Sequence, residues 1–174
     1  MNQQLQTNLA ATKEISEQKE EENDRFRAFL KLQDGEKLDE KVHQLNETIS
    51  PQIDCTACGN CCKTLMIVVE EEEADKLSSH LQQTRGIFDE KYLEKGSNGM
   101  MLINRMPCHF LSENKCTVYE NRFAGCKEFP AMHLPNFKER LFITFMHYER
   151  CPIIFNVVEE LKKEIGFNKL SILL

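Results

Sequence analysis

Apolar positions in residues 1–50 recur with the spacing of amphipathic helices. Phe26, Phe29 and Leu30 follow an i, i+3, i+4 pattern, which places them on one face of a helix. A second stripe repeats at intervals of four, three and four residues: Leu38, Val42, Leu45 and Ile49. We therefore predict two helices separated by Asp34-Gly35, with Gly35 as the C-cap of the first.

Beyond residue 64 the pattern changes to shorter apolar runs. Residues 65–69 are apolar and partly β-branched, which is typical of a buried strand. The acidic residues 70–73 predict the first turn of a helix, because carboxylates there complement the helix dipole. Gly86 is predicted to interrupt the chain before a short helix over residues 87–93.

The last third predicts a hairpin, a strand and a final helix. Polar residues 112–115 separate two alternating runs, so we expect a β-hairpin that places Cys108 and Cys116 on neighbouring strands. Residues 141–146 are almost continuously apolar and predict a further strand. Pro152 suits the first turn of a helix. The apolar face of that helix would be Ile154, Val157, Val158, Leu161 and Ile165.

Together these elements predict an α+β fold, a small cysteine-rich metal-binding domain with short strands and amphipathic helices at both ends. We divide the chain into an N-terminal helical extension, residues 1–50, and a cysteine-cluster domain with a C-terminal helix, residues 51–174. The N-terminal helices would pack on the cysteine domain or on another copy, since amphipathic helices exist to be packed. The alternative is an arm that docks a protein partner.

Composition narrows the partners and the compartment. The net charge of −6 argues against a nucleic-acid partner, which requires a basic surface. No apolar run reaches the roughly 18–20 residues of a membrane span, so no membrane partner is expected. The N-terminus lacks a basic stretch followed by an apolar one, so we predict a cytoplasmic protein without a signal peptide.

The main chemical signal is a cysteine cluster. Four of the 8 cysteines fall in residues 55–62 with the spacing C-x-x-C-x-x-C-C. Gly59 and Asn60 tolerate the positive φ angles that a tight curl needs, so several sulfurs can converge on one point. We predict a metal site that draws on all the cysteines: Cys55, Cys58, Cys61, Cys62, Cys108, Cys116, Cys126 and Cys151.

Three chemistries are open to these thiols. Disulfides require an oxidising compartment, to which nothing in the sequence points. Structural zinc usually takes two C-x-x-C pairs; Cys55 and Cys58 could form one, but the other half of the chain offers widely spaced single cysteines instead. Cysteines at i, i+3 and i+6 with a remote Cys151-Pro152 also resemble an iron–sulfur ligand run. Because Cys61 and Cys62 are adjacent, we hypothesise two sites or one polynuclear site, in which these two thiolates serve different metals.

Other side chains could assist the thiols. His109, His133 and His147 lie near cysteine-bearing segments, but an ordinary hydrogen-bonded histidine is the simpler interpretation. Arg122 could offset the negative charge of clustered thiolates, or could simply cap a turn.

The cysteine pattern resembles the CxxCxxCC family, the YkgJ-type zinc- or iron-chelating domain. Its second half reads C-x-F-L-x-x-x-x-C-x-[IV]-Y-x-x-R-P-x-x-C-x-x-[FY]-P, often followed by a late cysteine. The matching residues here are Cys108, Phe110, Leu111, Cys116, Val118, Tyr119, Arg122, Cys126, Phe129 and Pro130, with Cys151 as the late cysteine. Phe123 stands where the family usually has proline.

The resemblance implies a domain that chelates zinc or iron, as a mononuclear site or an iron–sulfur cluster. A similar cluster occurs in the flagellin lysine N-methylase, so a related enzyme is the second hypothesis. Against an enzyme, none of the 7 glycines forms the G-x-G-x-x-G loop of a dinucleotide or S-adenosylmethionine site. A metal-stabilised module that docks a partner through its N-terminal helices is the third.

Overall fold

A computed structural model describes residues 4–167 and confirms the α+β class. The helices are α1 (Leu9–Gln18), α2 (Glu20–Lys31), α3 (Gly35–Ile49), α4 (Cys55–Cys58), α5 (Cys61–Thr64), α6 (Glu71–His80), α7 (Arg85–Tyr92), α8 (Ala124–Glu128), α9 (Leu141–Met146) and α10 (Pro152–Glu164). The strands are β1 (Val68–Val69), β2 (Leu93–Lys95), β3 (Met101–Ile103), β4 (Leu111–Ser112) and β5 (Lys115–Cys116). None of the helices between residues 4 and 167 is both long and apolar enough to cross a lipid bilayer.

The chain divides into two compact units. Among the described residues, the helical unit contains residues 4–54 and 130–167, so it is assembled from two separate stretches of the sequence. The cysteine unit is the continuous stretch 55–129. Seven of the eight cysteines fall in the cysteine unit, and Cys151 belongs to the helical unit.

The helical unit is built on the predicted apolar stripes. Phe26 and Leu30 of α2 are buried, as are all four members of the α3 stripe. Helix α10 begins with Pro152 in its first turn and packs against α3. The predicted role of Gly35 as a helix C-cap was wrong, because Gly35 is the first residue of α3. Asp34 is the N-cap of that helix, and its side chain accepts a hydrogen bond from the amide of Lys37.

The strand predicted over residues 141–146 was wrong, because these residues form helix α9. A short apolar run fits a buried strand and a short helix equally well. The helix is selected by its packing, since Leu141 and Thr144, three residues apart, are the buried pair.

The cysteine unit contains a small antiparallel sheet in the order β1-β3-β2. Val69 opposite Met101 fixes the register of β1, and Leu93 opposite Ile103 fixes that of β2. The predicted strand over 65–69 is therefore reduced to two residues, and one of them, Val68, is exposed.

Helices α6 and α7 pack with this sheet through a shared apolar core. The predicted acidic start of α6 is confirmed, and Glu70 and Glu73 form a reciprocal capping box there. The predicted break at Gly86 was wrong, because Gly86 lies inside α7, which is capped instead by Thr84. The core residues are Val69, Ala74, Leu77, Phe88, Tyr92, Met101, Ile103, Phe110, Val118 and Phe123.

A buried lysine joins α2 to α10 in the helical unit. The side chain of Lys162 is fully buried, and its ammonium donates to Glu22 at 2.7 Å, Asn23 at 2.6 Å and Glu159 at 2.8 Å. Although burial raises the pKa of Glu159, the hydrogen bond and charge of Lys162 bring it below its usual value. A carboxyl with a lowered pKa stabilises the fold at neutral pH, and this contribution is lost as the pH falls through that pKa.

We predict that Lys162→Met lowers the free energy of unfolding by about 2 kcal/mol, because Glu22 and Glu159 lose the buried cation between them and retain the more exposed Lys19. Lys163→Met is the matched control: its ammonium lies 3.0 Å from Glu160 in an exposed pair, and its loss costs less than about 1 kcal/mol. Urea denaturation of the two variants measures the difference. Equal losses would contradict a stabilising role for the buried contacts.

Candidate metal centre

The C-x-x-C-x-x-C-C segment folds into two single-turn helices joined at Gly59. The amide of Gly59 closes α4 on the carbonyl of Cys55 at 3.0 Å, and Gly59 then adopts a φ of 56°. The predicted positive φ is thus found at Gly59, whereas Asn60 has a φ of −70° and begins α5. The reversal at Gly59 lets two cysteine-bearing turns follow one another within eight residues.

A backbone hydrogen bond joins the second cysteine segment to the first. The amide of Cys108 donates to the carbonyl of Cys62 at 2.8 Å. The predicted hairpin forms from β4 and β5, with Leu111 opposite Cys116. Cys108 was predicted to lie on the first strand of the hairpin, but it precedes β4. It lies in a turn in which its carbonyl accepts a hydrogen bond from the amide of Leu111.

The hairpin and the cysteine turns also meet at Gly59. A Cβ atom at Gly59 would lie 2.7 Å from the carbonyl oxygen of Asn114, which is in the hairpin turn. Contact at this distance is open only to glycine, since real Cβ atoms do not approach a backbone oxygen so closely. Sequence reasoning found the positive φ of Gly59 but missed this contact, because nothing local marks Asn114 as its neighbour.

Helix α8 supplies a third thiol-bearing segment. Its start is held by Glu73, whose carboxylate accepts a hydrogen bond from the amide of Ala124 at 2.5 Å. A Cβ at Gly125 would make ordinary contact with Ile67, at 3.5 Å, so the helix passes close to the chain before β1. Cys126 is thereby held against the apolar core, as are Cys108 and Cys116.

Six cysteines line one cavity within the cysteine unit: Cys55, Cys61, Cys62, Cys108, Cys116 and Cys126. Most of its remaining wall is apolar: Leu65, Ile67, Ile103, Met106, Phe110, Val118, Phe123 and Phe129. Among the described residues that line it, none is His, Asp or Glu. The donor set is therefore made of soft sulfur atoms, which suits zinc or iron rather than magnesium or calcium.

Cys61 and Cys62 are the closest thiol pair described, with their sulfurs 3.9 Å apart. A hydrogen bond from Cys62 lowers the pKa of Cys61 to about 6, and the same bond with burial raises the pKa of Cys62. Burial, followed by the charges of Cys108, Cys61 and Cys116, raises the pKa of Cys126 to about 12. Across residues 4–167, no three His, Cys, Asp or Glu side chains are gathered tightly enough to constitute a metal site as they stand.

The other predicted residues lie elsewhere. Cys58 is half-buried in α4 but is not among the residues that line the cavity. Cys151 is buried in the helical unit, where it is the N-cap residue of α10 and its amide donates to the carbonyl of His147 at 3.0 Å. No disulfide joins any of the eight cysteines, all of which lie within the described residues.

The three histidines considered above are not among the residues that line the cavity, whereas Arg122 is. His109 bonds to Asn104 at 2.6 Å and does not line the cavity, while His133 and His147 belong to the helical unit. Arg122 does line the cavity, and it also donates to the carbonyl of Tyr119 at 2.9 Å and stacks on that ring at 3.5 Å. The contact with the turn at Tyr119 is therefore present, and the charge-offsetting role of Arg122 stays a prediction.

The family model that matches this chain is CxxCxxCC, described as "Putative zinc- or iron-chelating domain", and it covers residues 54–152. That range contains all eight cysteines, since it begins just before Cys55 and ends just after Cys151. No curated protein and no solved structure matches the chain.

We predict that Gly59→Ala destabilises the cysteine unit more than Gly99→Ala. Both glycines have a positive φ, so both variants incur about 1 kcal/mol of backbone strain. Gly99 faces open space, whereas a Cβ at Gly59 meets the Asn114 carbonyl, which adds about 1–3 kcal/mol. Hydrogen exchange should accelerate in residues 111–116 of Gly59→Ala only; equal exchange in both variants would rule out the contact as a constraint.

Proposed function

We propose that this chain, which belongs to the CxxCxxCC family of zinc- or iron-chelating domains, holds a zinc or iron ion through cysteine thiolates in the cavity of residues 55–129. The observation that carries the proposal is the convergence of six cysteines from three separate segments on one cavity. Apolar packing could use any small side chain at these positions, whereas a soft cation needs several thiols on one cavity.

The distance between the sulfur atoms of Cys61 and Cys62 suits two ligands of the same ion. Two sulfurs bound to one tetrahedral ion at about 2.3 Å each lie about 3.8 Å apart. The observed separation is 3.9 Å, so these neighbours fit a shared ion better than the separate metals that we first hypothesised. The remaining ligands would come from Cys55, Cys108, Cys116 and Cys126.

The surrounding residues favour binding in different ways. The lowered pKa of Cys61 provides a thiolate near neutral pH, while the buried thiols with a raised pKa would lose their protons when the ion binds. The guanidinium of Arg122 offsets part of the negative charge that several thiolates create. An ion in this cavity would cross-link α5, the hairpin and α8.

An iron–sulfur cluster is the second candidate. Six thiols exceed the four that a mononuclear tetrahedral site takes, which favours a polynuclear site. Thiolate ligation of either kind requires reduced cysteines, and we therefore assign the protein to a reducing compartment, the cytoplasm.

Three earlier hypotheses stay predictions. Ligation by Cys58 and Cys151, neither of which lines the cavity, would extend the set to eight thiolates, and it is the alternative that the Cys58→Ser variant tests. A relation in activity to the lysine N-methylase is tested by calorimetric titration with S-adenosylmethionine. A metal-stabilised module that docks a partner through its N-terminal helices is the third.

We predict that Cys62→Ser reduces bound zinc and iron to well below one ion per chain, whereas Cys58→Ser keeps the wild-type content. Cys58→Ser is the matched control because it removes a thiol from the same loop that does not line the cavity. Elemental analysis after anaerobic purification gives the stoichiometry. Visible absorption with acid-labile sulfide identifies an iron–sulfur cluster, and a colourless zinc-loaded protein identifies zinc.

Two results would contradict this assignment. A wild-type content far below one ion per chain would remove the metal function altogether. An equal loss in Cys58→Ser would show that the ligand set is not the one that lines the cavity.

We also predict that chelation under reducing conditions lowers the melting temperature of the wild-type protein by about 5–10 °C, because a tightly bound ion stabilises the folded state. The same treatment should leave Cys62→Ser unchanged, since that variant has no ion to lose. Differential scanning calorimetry measures both shifts. An unchanged wild-type melt would argue against a structural role for the ion.

A further inference from the structure

Helix α9 in the helical unit is apolar on both faces. Leu141 and Thr144 are buried, and Phe145 packs edge-on against Phe26 at a centroid distance of 6.2 Å. On the other face Phe142 is 72% exposed, and Met146, one turn later, is 41% exposed. An isolated exposed apolar residue needs no explanation, but a phenylalanine and a methionine on adjacent turns form a surface suited to a partner.

This exposed face forms one wall of a groove. The opposite wall comes from α1 and α2, and it is polar. We call this groove the acidic groove, and its acidic and exposed apolar lining residues are Glu17, Glu20, Asp24, Phe142, Met146 and Glu149. Arg27 also lines it, so four carboxylates face one guanidinium and the net charge of the lining is −3.

Ion pairs inside the protein neutralise this charge only weakly. Lys13 lies 3.9 Å from Glu17, Arg27 lies 3.3 Å from Asp24, and Arg150 lies 3.3 Å from Glu149, so Glu20 is the groove carboxylate for which the described residues show no ion pair. Exposed pairs of this kind contribute little and exchange readily with other cations. The carboxylates therefore stay available to a cationic partner.

We propose that the acidic groove docks a basic amphipathic helix of another protein. The apolar residues of that helix, spaced i, i+4, would contact Phe142 and Met146, whose own spacing is one turn of α9. Its Lys and Arg side chains would face Glu17, Glu20 and Asp24.

Charge selects this occupant over two others. A symmetric pairing of two copies would bring two acidic walls together, in a chain whose net charge is already −6. An anionic lipid surface would be repelled by the same carboxylates. The proposal does not depend on the metal function, because every residue of the groove belongs to the helical unit.

The probe is a fluorescein-labelled peptide of about 18 residues, with Leu on one helical face and Lys on the other. A second peptide with Glu in place of Lys keeps the apolar face and reverses the charge. Fluorescence anisotropy should show saturable binding of the Lys peptide that weakens with added salt, and no binding of the Glu peptide.

Single substitutions connect the binding to the groove. Phe142→Ser and Glu20→Lys should each weaken binding about tenfold, as expected for one central contact. Their matched controls are Leu32→Ser, a leucine that is 84% exposed on the same unit, and Glu47→Lys, an exposed acid of α3. Neither control residue lines the groove, and neither variant should change the affinity.

Four outcomes would overturn the proposal. They are absence of saturable binding to the Lys peptide, equal binding of the Glu peptide, an equal loss in the control variants, and a different occupant. A second copy is the occupant if sedimentation shows self-association that Phe142→Ser abolishes. A membrane is the occupant if phosphatidylserine vesicles bind the wild type but not Phe142→Ser.

Two control measurements apply to every variant. Circular dichroism confirms that the variant is folded. Its metal content should stay unchanged, so that a failure of the docking proposal can be distinguished from a failure of the metal function.

Discussion

The hydrogen bond from the amide of Cys108 to the carbonyl of Cys62 sets the geometry of the cysteine unit. It aligns two segments that are far apart in the sequence, and the contact of Gly59 with Asn114 holds the hairpin beside them. Backbone groups thus position the thiols before any ligand is considered. The apolar core then packs behind Cys108, Cys116 and Cys126, and these cysteines line a cavity whose wall is mostly apolar.

This arrangement places several thiols side by side in a mostly apolar cavity, and their pKa values reflect it. Cys61 ionises more readily because Cys62 donates a hydrogen bond to it, while partial burial keeps a thiol such as Cys126 protonated. A site of this kind favours a cation that can replace several protons at once. Arg122 is close enough to share in the compensation, and its stacking on Tyr119 keeps the guanidinium in place.

Much of this could be predicted from the sequence where the signal is local and repeated. The stripes of α2, α3 and α10, the hairpin and the positive φ of Gly59 each follow from spacing or from the stereochemistry of one residue. The errors arose where packing decides. Residues 141–146 carry too few positions to distinguish a strand from a helix, and Gly86 is tolerated inside α7 because neighbouring helix formers and the Thr84 cap outweigh its modest cost. The meeting of Gly59 with Asn114 is a long-range contact that no local pattern encodes.

The discontinuity of the helical unit affects how the protein is made. Helix α3 packs against α10, yet residues 55–129 are synthesised between them. During translation the apolar stripe of α3 therefore stays without α10 until residues 152–164 leave the ribosome, by which time the intervening cysteine unit has been synthesised. A chain that ended before Pro152 would contain the thiol pocket but would leave the part of α3 that contacts α10 exposed, which favours capture by chaperones and proteases.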